Sequence, residues 1–215
     1  MSPEPFRALE IELTFDVHGD TPLPDLSGLP GVAVVDGPEL RELDARYLDV
    51  AGLALGRAGY AVRRRTGGPD AGWHIKGPKN AEGGRLETHW PLDAASATAG
   101  AADMAVPDAV ASAVAEIADG TLAPIARIRN ERHAYTLRDA AGTAVAEFVD
   151  DHVIATDEVR GVETTWREWE FELGPAAPDD PAAVAVLFDA VTSAVAAAGG
   201  RPAASDSKLA RALGV

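Results

Sequence analysis

The sequence predicts an α+β fold in which eight antiparallel strands close into a β-barrel with flanking helices. Short segments of alternating polar and apolar residues recur along the chain, turns rich in Gly and Pro separate them, and two segments rich in Ala and Val have helical spacing. Short antiparallel strands in such number favour a sheet that closes on itself. We expect a single domain over residues 1–215, with the barrel core at about 8–173 and C-terminal helices at about 181–213.

The first third of the barrel begins with a clearly amphipathic strand. In "ALEIELTF", residues 8–15, polar and apolar side chains alternate, as in a strand with two different faces. The stretch 18–31 is rich in Gly, Pro and Asp and is expected to be irregular. Residues 32–50 are predicted to form a strand, a turn and a second strand, and a short helix over 51–59 stops at a glycine.

A meander and a helix come next. The meander strands are predicted at 60–68, 71–79 and 84–92. Valine and isoleucine at helical spacing then predict a helix within 100–119, capped near Pro107 and ended by Gly120.

The remaining strands and helices complete the prediction. Strands occupy 122–159, where "DAAG" (139–142) forms a hairpin turn, and 164–173. A second helix covers 181–199, and a short helix over 206–213 closes the chain.

Composition excludes several classes of function. An apolar fraction of 47% and a charged fraction of 25% are ordinary for a globular protein. No uninterrupted apolar run reaches the roughly 18 to 20 residues of a membrane span, and the N-terminus has no secretory pattern. The chain has no Cys, which excludes disulfides, thiol nucleophiles and thiolate metal sites. We therefore expect a cytoplasmic protein without a membrane partner.

The distribution of charge points to an anionic ligand. A net charge of −15 argues against nucleic acid as a partner. The cations nevertheless gather in two windows. They are Arg57, Arg63, Arg64, Arg65, Lys76, Lys79 and Arg85 in the first, and Arg127, Arg129, Arg132 and Arg138 in the second.

Polar residues at spacing two give most of the predicted strands one charged face. These positions are Glu10 and Glu12; Arg63 and Arg65; His74 and Lys76; Arg85, Glu87 and His89; Arg127 and Arg129; and Glu168, Glu170 and Glu172. One interpretation is a sheet whose charged face meets water. The alternative is a barrel whose interior holds the charges, where a ligand must compensate both signs.

A triphosphate bound with a divalent cation is a ligand of that kind. Arg binds phosphate oxygens bidentately, so cationic strands suit a row of phosphoryl groups. Glutamate oxygens are ligands that Mg²⁺ and Mn²⁺ prefer, so acidic strands suit the metal. Under this interpretation the acidic face of the first strand lies inside the barrel.

The ordered motifs resemble the CYTH superfamily, the triphosphate tunnel metalloenzymes. The matching segments, in chain order, are "EIEL", "YLDV", "YAVRRRTGG", "GWHIKGPK", "RLETHWPL", "ARIRNERHAYTL", "AEFVDDHV" and "WREWEFEL", followed by "SKLARAL". The resemblance runs from about residue 8 to 173. It implies an eight-stranded antiparallel tunnel that binds a triphosphate and hydrolyses it with Mg²⁺ or Mn²⁺.

The resemblance also implies roles for individual residues. Glu10 and Glu12 look like the catalytic acids of a Glu-x-Glu-x-Lys signature. The residues expected to bind phosphate are Arg63, Arg65, Lys76, Arg85, Arg127, Arg129 and Lys208. The residues expected to hold the metal are Glu168, Glu170, Asp150 and Glu87. Asp151 is the alternative to Asp150, because a shift of one residue in a strand exchanges its faces.

One position departs from the signature, since Thr14 stands where the pattern has Lys. Loss of that cation weakens stabilisation of the transition state more than it weakens binding. The favoured function is hydrolysis of inorganic tripolyphosphate, since no nucleobase pocket is visible in the sequence. The alternatives are a non-catalytic polyphosphate- or nucleotide-binding module, and activity of the thiamine triphosphatase or adenylate cyclase type. The expected partner is a small triphosphate-containing molecule, and the expected state is a monomer or homodimer.

Overall fold

The computed structural model describes residues 4–81, 83–92, 104–205 and 207–215. The strands are β1 (Phe6–Glu10), β2 (Glu12–Val17), β3 (Val34–Asp49), β4 (Ala61–Thr66), β5 (Gly72–Lys79), β6 (Arg85–Pro91), β7 (Ala123–Arg138), β8 (Ala144–Asp157), β9 (Val162–Leu173) and β10 (Arg201–Pro202). The helices are α1 (Ala54–Arg57), α2 (Asp108–Ala115), α3 (Pro181–Ala198) and α4 (Lys208–Leu213). The start of the helix predicted from residue 100 and the first residue of the one predicted from 206 lie outside the described residues.

The sheet is antiparallel, and the N-terminal segment joins its two sides. Its strand order is β1-β6-β5-β4-β3-β7-β8-β9-β2-β10. β1 and β2 are two halves of one segment, separated by Ile11: β1 pairs with β6, and β2 pairs with β9. The Ile11 carbonyl also accepts a hydrogen bond from the backbone N–H of Leu173. The predicted closed barrel is thus confirmed, with one N-terminal strand divided between two neighbours.

β3 differs from its prediction as strand, turn and strand. It runs unbroken for 16 residues and pairs with β7 along its length, with a shift of register between Asp36 and Glu39. Gly37 and Pro38 lie at this shift. Because Pro has no N–H to donate to a sheet, the pair makes a bulge here and does not end the strand.

Helices α1, α2 and α3 cover the outside of the barrel. α3 begins at its N-cap Asp180 and ends at Gly199, whose φ of 103° suits glycine. Its inner stripe of Leu187, Val191 and Val195 packs on Phe15, Phe148, Trp169 and Phe171 of the sheet. A second core lies under α1 and α2, where Val110 and Val114 meet Val62, Trp73 and Trp90. These two cores fix which face of each strand points outward.

α4 packs against a third cluster, formed by inward-facing residues at one end of the barrel. Leu209 and Ala212 of α4 contact a group that includes Tyr47, Ile128 and Val153. A short helix therefore covers one end of the interior, and its first residue, Lys208, lies at the cavity described below.

α3 is the one described helix long and apolar enough to cross a membrane, with a mean hydropathy of 1.7. This criterion rests on length and composition, and a helix that packs on a protein core also meets it. The expectation of no membrane partner therefore stays a prediction.

Candidate functional site: a charged cavity inside the barrel

A cavity of about 810 Å³ runs through the interior of the barrel. It collects charged side chains from strands β1 to β9 and from α4. They include Glu10, Glu12, Arg41, Arg63, Arg65, Lys76, Arg85, Arg132, Glu147, Glu170, Glu172 and Lys208. The barrel interpretation of the strand pattern, with charges in the interior, is confirmed for the pattern positions in this set, which are Glu10, Glu12, Arg63, Arg65, Lys76, Arg85, Glu170 and Glu172.

One side of the cavity is rich in guanidinium groups. Arg63 and Arg65 come from β4, Arg41 from the neighbouring β3, and Arg132 from β7. Within the described part of the chain, the buried Nε atoms of Arg41, Arg63 and Arg65 have no hydrogen-bond partner. Burial, with Arg63 and Arg132 nearby, lowers the pKa of Arg65 to about 9. The wall therefore holds buried N–H donors without acceptors, although its charges have partners: Arg41 pairs with Glu147, Arg65 with Asp70, and Arg132 with Asp151 and Glu170.

His74 and Glu87 lie next to this cationic wall. His74 Nδ1 is 2.7 Å from Glu87 Oε1, and a guanidinium nitrogen of Arg63 is 3.6 Å from Glu87 Oε2. Burial and the Arg63 charge lower the pKa of His74 to about 3. Burial opposes ionisation of Glu87, but His74 and Arg63 hold the pKa of this carboxyl well below its usual value. Glu87 thus already has one guanidinium neighbour and one hydrogen-bond donor.

Lys76 lies between the cationic wall and a group of glutamates. Its ammonium is 3.0 Å from Glu10 Oε2 and 2.7 Å from Glu12 Oε1. Glu172 lies directly across from Glu12 on the adjacent strand. Burial, with the charges of Glu10, Glu12 and Glu170, raises the pKa of Glu172 to about 8. One ammonium therefore serves several buried carboxyl groups, and the group is short of positive charge.

A second acidic cluster is formed by Asp151, Glu168 and Glu170. One oxygen of each lies within 4.8 Å of the others. The Lys208 ammonium lies 3.0 Å from Asp151, 2.5 Å from Glu168 and 2.5 Å from Glu170. Arg132 donates two hydrogen bonds to Asp151 and one to Glu170. This cluster thus has two close cationic partners, Lys208 and Arg132, whereas the contacts of the first cluster come from Lys76.

The CYTH domain family matches residues 8–194 of the sequence. This chain belongs to the CYTH family. Solved structures agree at the level of fold. A protein from Bacillus halodurans, provisionally assigned as an adenylate cyclase, has a TM-score of 0.62 at 18% identity, over 95% of this chain and 97% of its own. The PH1819 protein from Pyrococcus horikoshii has a TM-score of 0.56 at 13% identity, over 95% and 98%.

A third CYTH-like structure comes from Hippeastrum and is described as a provisional adenylyl cyclase with a dominant triphosphatase activity. Its TM-score is 0.54 at 18% identity, over 96% of both chains. By sequence, uncharacterized proteins of two Mycobacterium tuberculosis strains are 37% identical over 99% of this chain. The chain spans about two fifths of the length of these relatives, since the match covers 42% of each.

The structure contradicts the predicted placement of Arg127 and Arg129 in the phosphate wall. Both side chains point out of the barrel, 41% and 47% exposed, and pair with Asp44 and Glu163. The inward face of β7 carries Ile128, Asn130 and Arg132. The prediction fails because the inward side chains of β7 are apolar where the strand packs on α4. The charged side chains of this part of β7 therefore point outward.

Asp150 is also on the outer face, and Asp151 is the buried acid of the interior. Asp150 accepts two hydrogen bonds from Arg167 and one from the Trp169 indole. Asp151 is 0% exposed and contacts Lys208 and Arg132. Asp150 therefore does not face the interior, and the metal role predicted for it is wrong. Trp169 packs outward on the α3 core, and this contact decides which of Asp150 and Asp151 faces inward. The sequence of one strand does not show such a contact.

Eight of the other predicted site residues line the cavity, and Glu168 and Glu87 do not. Arg63, Arg65, Lys76, Arg85, Glu10, Glu12, Glu170 and Lys208 line it. Arg85 also donates a hydrogen bond to the Gly77 carbonyl. Glu168 is buried beside Lys208, whereas Glu87 lies among cations and outside the acidic cluster. A metal role for Glu87 does not fit these partners.

Several charged residues of the lining were not predicted as site residues, among them Arg41, Arg132, Glu147 and Glu172. Glu172 was already placed on one charged face with Glu168 and Glu170, without a site role, whereas Arg132 lies on the face of β7 opposite to the predicted pair Arg127 and Arg129. Arg41 and Glu147 form a bidentate ion pair across the interior, with both distances at 3.0 Å. No local pattern marks that pair, because it depends on the order of strands in the sheet.

Proposed function

We propose that this CYTH chain binds a triphosphate inside the barrel and hydrolyses a phosphoanhydride bond with Mg²⁺ or Mn²⁺. Inorganic tripolyphosphate is the simplest substrate for the charged walls. The observation that carries the proposal is the wall of buried arginines whose Nε donors lack partners within the described chain. It stands opposite carboxylates that are short of positive charge. A triphosphate with its cation would supply acceptors for these donors and positive charge for the carboxylates.

The arginines account for binding. Arg63 and Arg65 follow each other at spacing two on β4, so their guanidinium groups point the same way along the cavity. Guanidinium groups so placed can donate to successive phosphoryl groups, and each charge-assisted hydrogen bond is stronger than a neutral one. The same contacts would satisfy the unpartnered donors and relieve the repulsion that lowers the pKa of Arg65.

Charge balance indicates which carboxylates would hold the metal. Lys208 and Arg132 already contact Asp151, Glu168 and Glu170. Glu10, Glu12 and Glu172 share Lys76. Charge balance favours Glu10, Glu12 and Glu172 for the divalent cation, whereas proximity favours the Glu168–Glu170 pair expected from the sequence, whose oxygens lie within 4.8 Å of each other and of Asp151. We propose the first of these two positions. Hard carboxylate oxygens suit Mg²⁺ and Mn²⁺, and a bound ion would polarise the terminal phosphoryl group.

The side chains of the chain itself would do the remaining work. The arginines hold the phosphate row, which fixes the reacting phosphoryl group relative to the carboxylates. Glu10 or Glu12 would orient the attacking water. Lys76 and Lys208 place ammonium groups beside the site, where charge accumulates as the bond breaks.

Thr14 favours a second candidate, a non-catalytic polyphosphate- or nucleotide-binding module. Its hydroxyl is buried, and its Oγ1 has no hydrogen-bond partner among the described residues. This position lies directly across from Glu170 and carries no charge. A site lacking one cation near the reacting group can bind a triphosphate and cleave it slowly.

A phosphate-release assay tests the proposed function. With tripolyphosphate, we expect release in Mg²⁺ or Mn²⁺ and none in EDTA. Glu172→Gln should raise the metal concentration needed for half-maximal rate, and Glu168→Gln, the matched control, should leave it unchanged. The opposite ranking would return the metal to Glu168 and Glu170. Binding without release under any divalent ion would contradict catalysis and support the module, especially if Thr14→Lys then produced turnover.

A further inference from the structure

We infer that the outer wall of the barrel carries a second metal site, which binds a transition-metal cation such as Zn²⁺ through His133, His152 and Glu131. These side chains lie on the outward faces of β7 and β8 and are 32%, 47% and 50% exposed. The site is separate from the charged cavity, so this inference does not rest on the proposed function.

The pairing of β7 with β8 brings the three residues together. Glu131 lies directly across from His152, and His133 is two residues further along β7 on the same face. Cβ atoms of residues directly across from each other on antiparallel strands are about 5 Å apart, and those of diagonal neighbours about 7 Å. Two imidazoles and one carboxylate therefore form a small triangle on one surface.

The separations in this triangle are close to those between ligands of one ion. His133 Nε2 is 3.1 Å from Glu131 Oε1, a hydrogen bond that an ion would replace. Ligand atoms about 2.1 Å from a tetrahedral zinc ion lie roughly 3.4 Å from each other. The ring centres of His133 and His152 are 5.7 Å apart. Two imidazoles that share one ion at this bond length have ring centres about 5 to 6 Å apart.

One side chain has to turn before all three donors meet at one point. Among the described residues, the three donors already within 4.8 Å of one another belong to Asp151, Glu168 and Glu170, inside the barrel. His152 is about half exposed, so its side chain can change rotamer without disturbing a packed core. Such a rotation can direct one of its ring nitrogens toward the other two ligands.

A buried carboxylate lies behind the His152 ring. Asp150 Oδ2 is 3.6 Å from His152 Nε2, and Asp150 is itself held by two hydrogen bonds from Arg167 and one from the Trp169 indole. Histidines that bind metals commonly donate their other ring N–H to a carboxylate, which fixes the tautomer and makes the ligand more basic. The surroundings of His152 thus suit a metal ligand.

The charge of this surface favours a cation. Glu42 of β3 lies directly across from Glu131, and like charges directly opposite each other destabilise a sheet. The guanidinium nearest to His152 along the sheet, that of Arg167, is already bound to Asp150. A metal ion would offset the two glutamates. Imidazole ligands suit zinc, copper and nickel, whereas Mg²⁺ prefers oxygen ligands, so this site differs in chemistry from the interior one.

An ion at this position would tie β7 to β8. Between the proposed ligands, the inward side chains of the same two strands are Arg132 and Asp151, which pair inside the barrel. The outer ion would therefore fix the stretch of backbone that carries this interior ion pair. Because it binds the folded chain, it should also raise the melting temperature.

Calorimetry with Zn²⁺ as the probe tests this inference. Millimolar Mg²⁺ is present throughout, to occupy the interior carboxylates with an ion that suits them. His133→Gln, His152→Gln and Glu131→Gln should each weaken Zn²⁺ binding by at least about tenfold, since loss of an outer partner of a metal ligand already has an effect of that size. Glu163→Gln, the matched control, should leave it unchanged. Glu163 is 54% exposed on the same outer wall, where it bonds Arg129 and Thr156.

A double variant, His133→Gln with His152→Gln, separates the two metal sites. Zn²⁺ taken up by the interior carboxylates remains in this variant, so the difference from the wild type measures the outer site. Zn²⁺ should raise the melting temperature of the wild type by more than that of the double variant. Equal Zn²⁺ binding by the two proteins would overturn the inference, and so would an equal loss in Glu163→Gln. Either result leaves the proposed function intact, because that function uses none of these residues.

Discussion

At the scale of single residues, Glu172 shows how the barrel interior changes ordinary chemistry. The carboxyl lies among Glu10, Glu12 and Glu170, and burial with these charges raises its pKa from 4.5 to about 8. In the unfolded chain the same group loses its proton near pH 4.5. Between these values the folded state binds a proton that the unfolded state does not, so this group's contribution to stability is lost as the pH rises.

Glu172→Gln should remove that pH dependence. Relative to the wild type, the variant should gain stability from about pH 5 to pH 8, by at most about 1.4 kcal/mol per pH unit. Denaturant unfolding at pH 5, 6, 7 and 8 without divalent cation measures this difference. Parallel stability profiles for the two proteins would show that Glu172 titrates normally.

Residue alternation predicted much of the site, and its failures have a common cause. It correctly placed Arg63, Arg65 and Lys76 inside, because outward neighbours on these strands, such as Val62 and Ile75, pack under α1 and α2. It misplaced Arg127 and Asp150, because alternation alone does not say which face is outside. That choice depends on which helix covers the strand, and helix docking is a long-range property.

At the scale of elements, α4 supplies a cation, Lys208, close to the position where β2 has the uncharged Thr14. The backbone N–H of Ala203, in the segment before α4, donates to the Thr14 carbonyl. Thr14 lies across from Glu170, and the Lys208 ammonium is 2.5 Å from that carboxylate. Position 14 lies across from Glu170 on the adjacent strand. A lysine there would therefore place its ammonium near the same carboxylate.

We therefore expect position 14 to compensate for the loss of Lys208. Lys208→Met should lower the rate of tripolyphosphate hydrolysis by roughly 100-fold, since it removes one charge beside the reacting group. The double variant Thr14→Lys with Lys208→Met should recover much of that rate. Steady-state kinetics of the wild type, both single variants and the double variant give the comparison. An additive loss in the double variant would show that the two positions are not exchangeable.

The order of helices and strands was largely predictable, and pairing was less so. Hairpin β7–β8 forms at the predicted turn, where Asp139 and Thr143 are bonded through their backbones and Gly142 has φ 84°. The division of the first strand at Ile11 was not predictable, because "EIEL" alternates without interruption. The break arises when one strand has to pair with β6 on one side and β9 on the other.

At the scale of the whole molecule, closure of the sheet gives the charged faces their meaning. On an open sheet, facing water, arginines and glutamates of neighbouring strands would be solvated and of small energetic consequence. Inside a closed barrel they are buried with unequal partners, so the interior favours a ligand that carries both signs. The family and the structural neighbours support this architecture, while the charge pattern supports the ligand.

The most direct test of the account compares two arginines on opposite faces of the barrel wall. Arg63 lines the cavity, and Arg127 points outward and pairs with Asp44. Binding of tripolyphosphate by purified Arg63→Ala and Arg127→Ala variants is measured by calorimetry, with circular dichroism to confirm folding. The account predicts that Arg63→Ala weakens binding by at least about 100-fold, while Arg127→Ala binds like the wild type. Equal losses in both variants, or unchanged binding in Arg63→Ala, would contradict a triphosphate site inside the barrel.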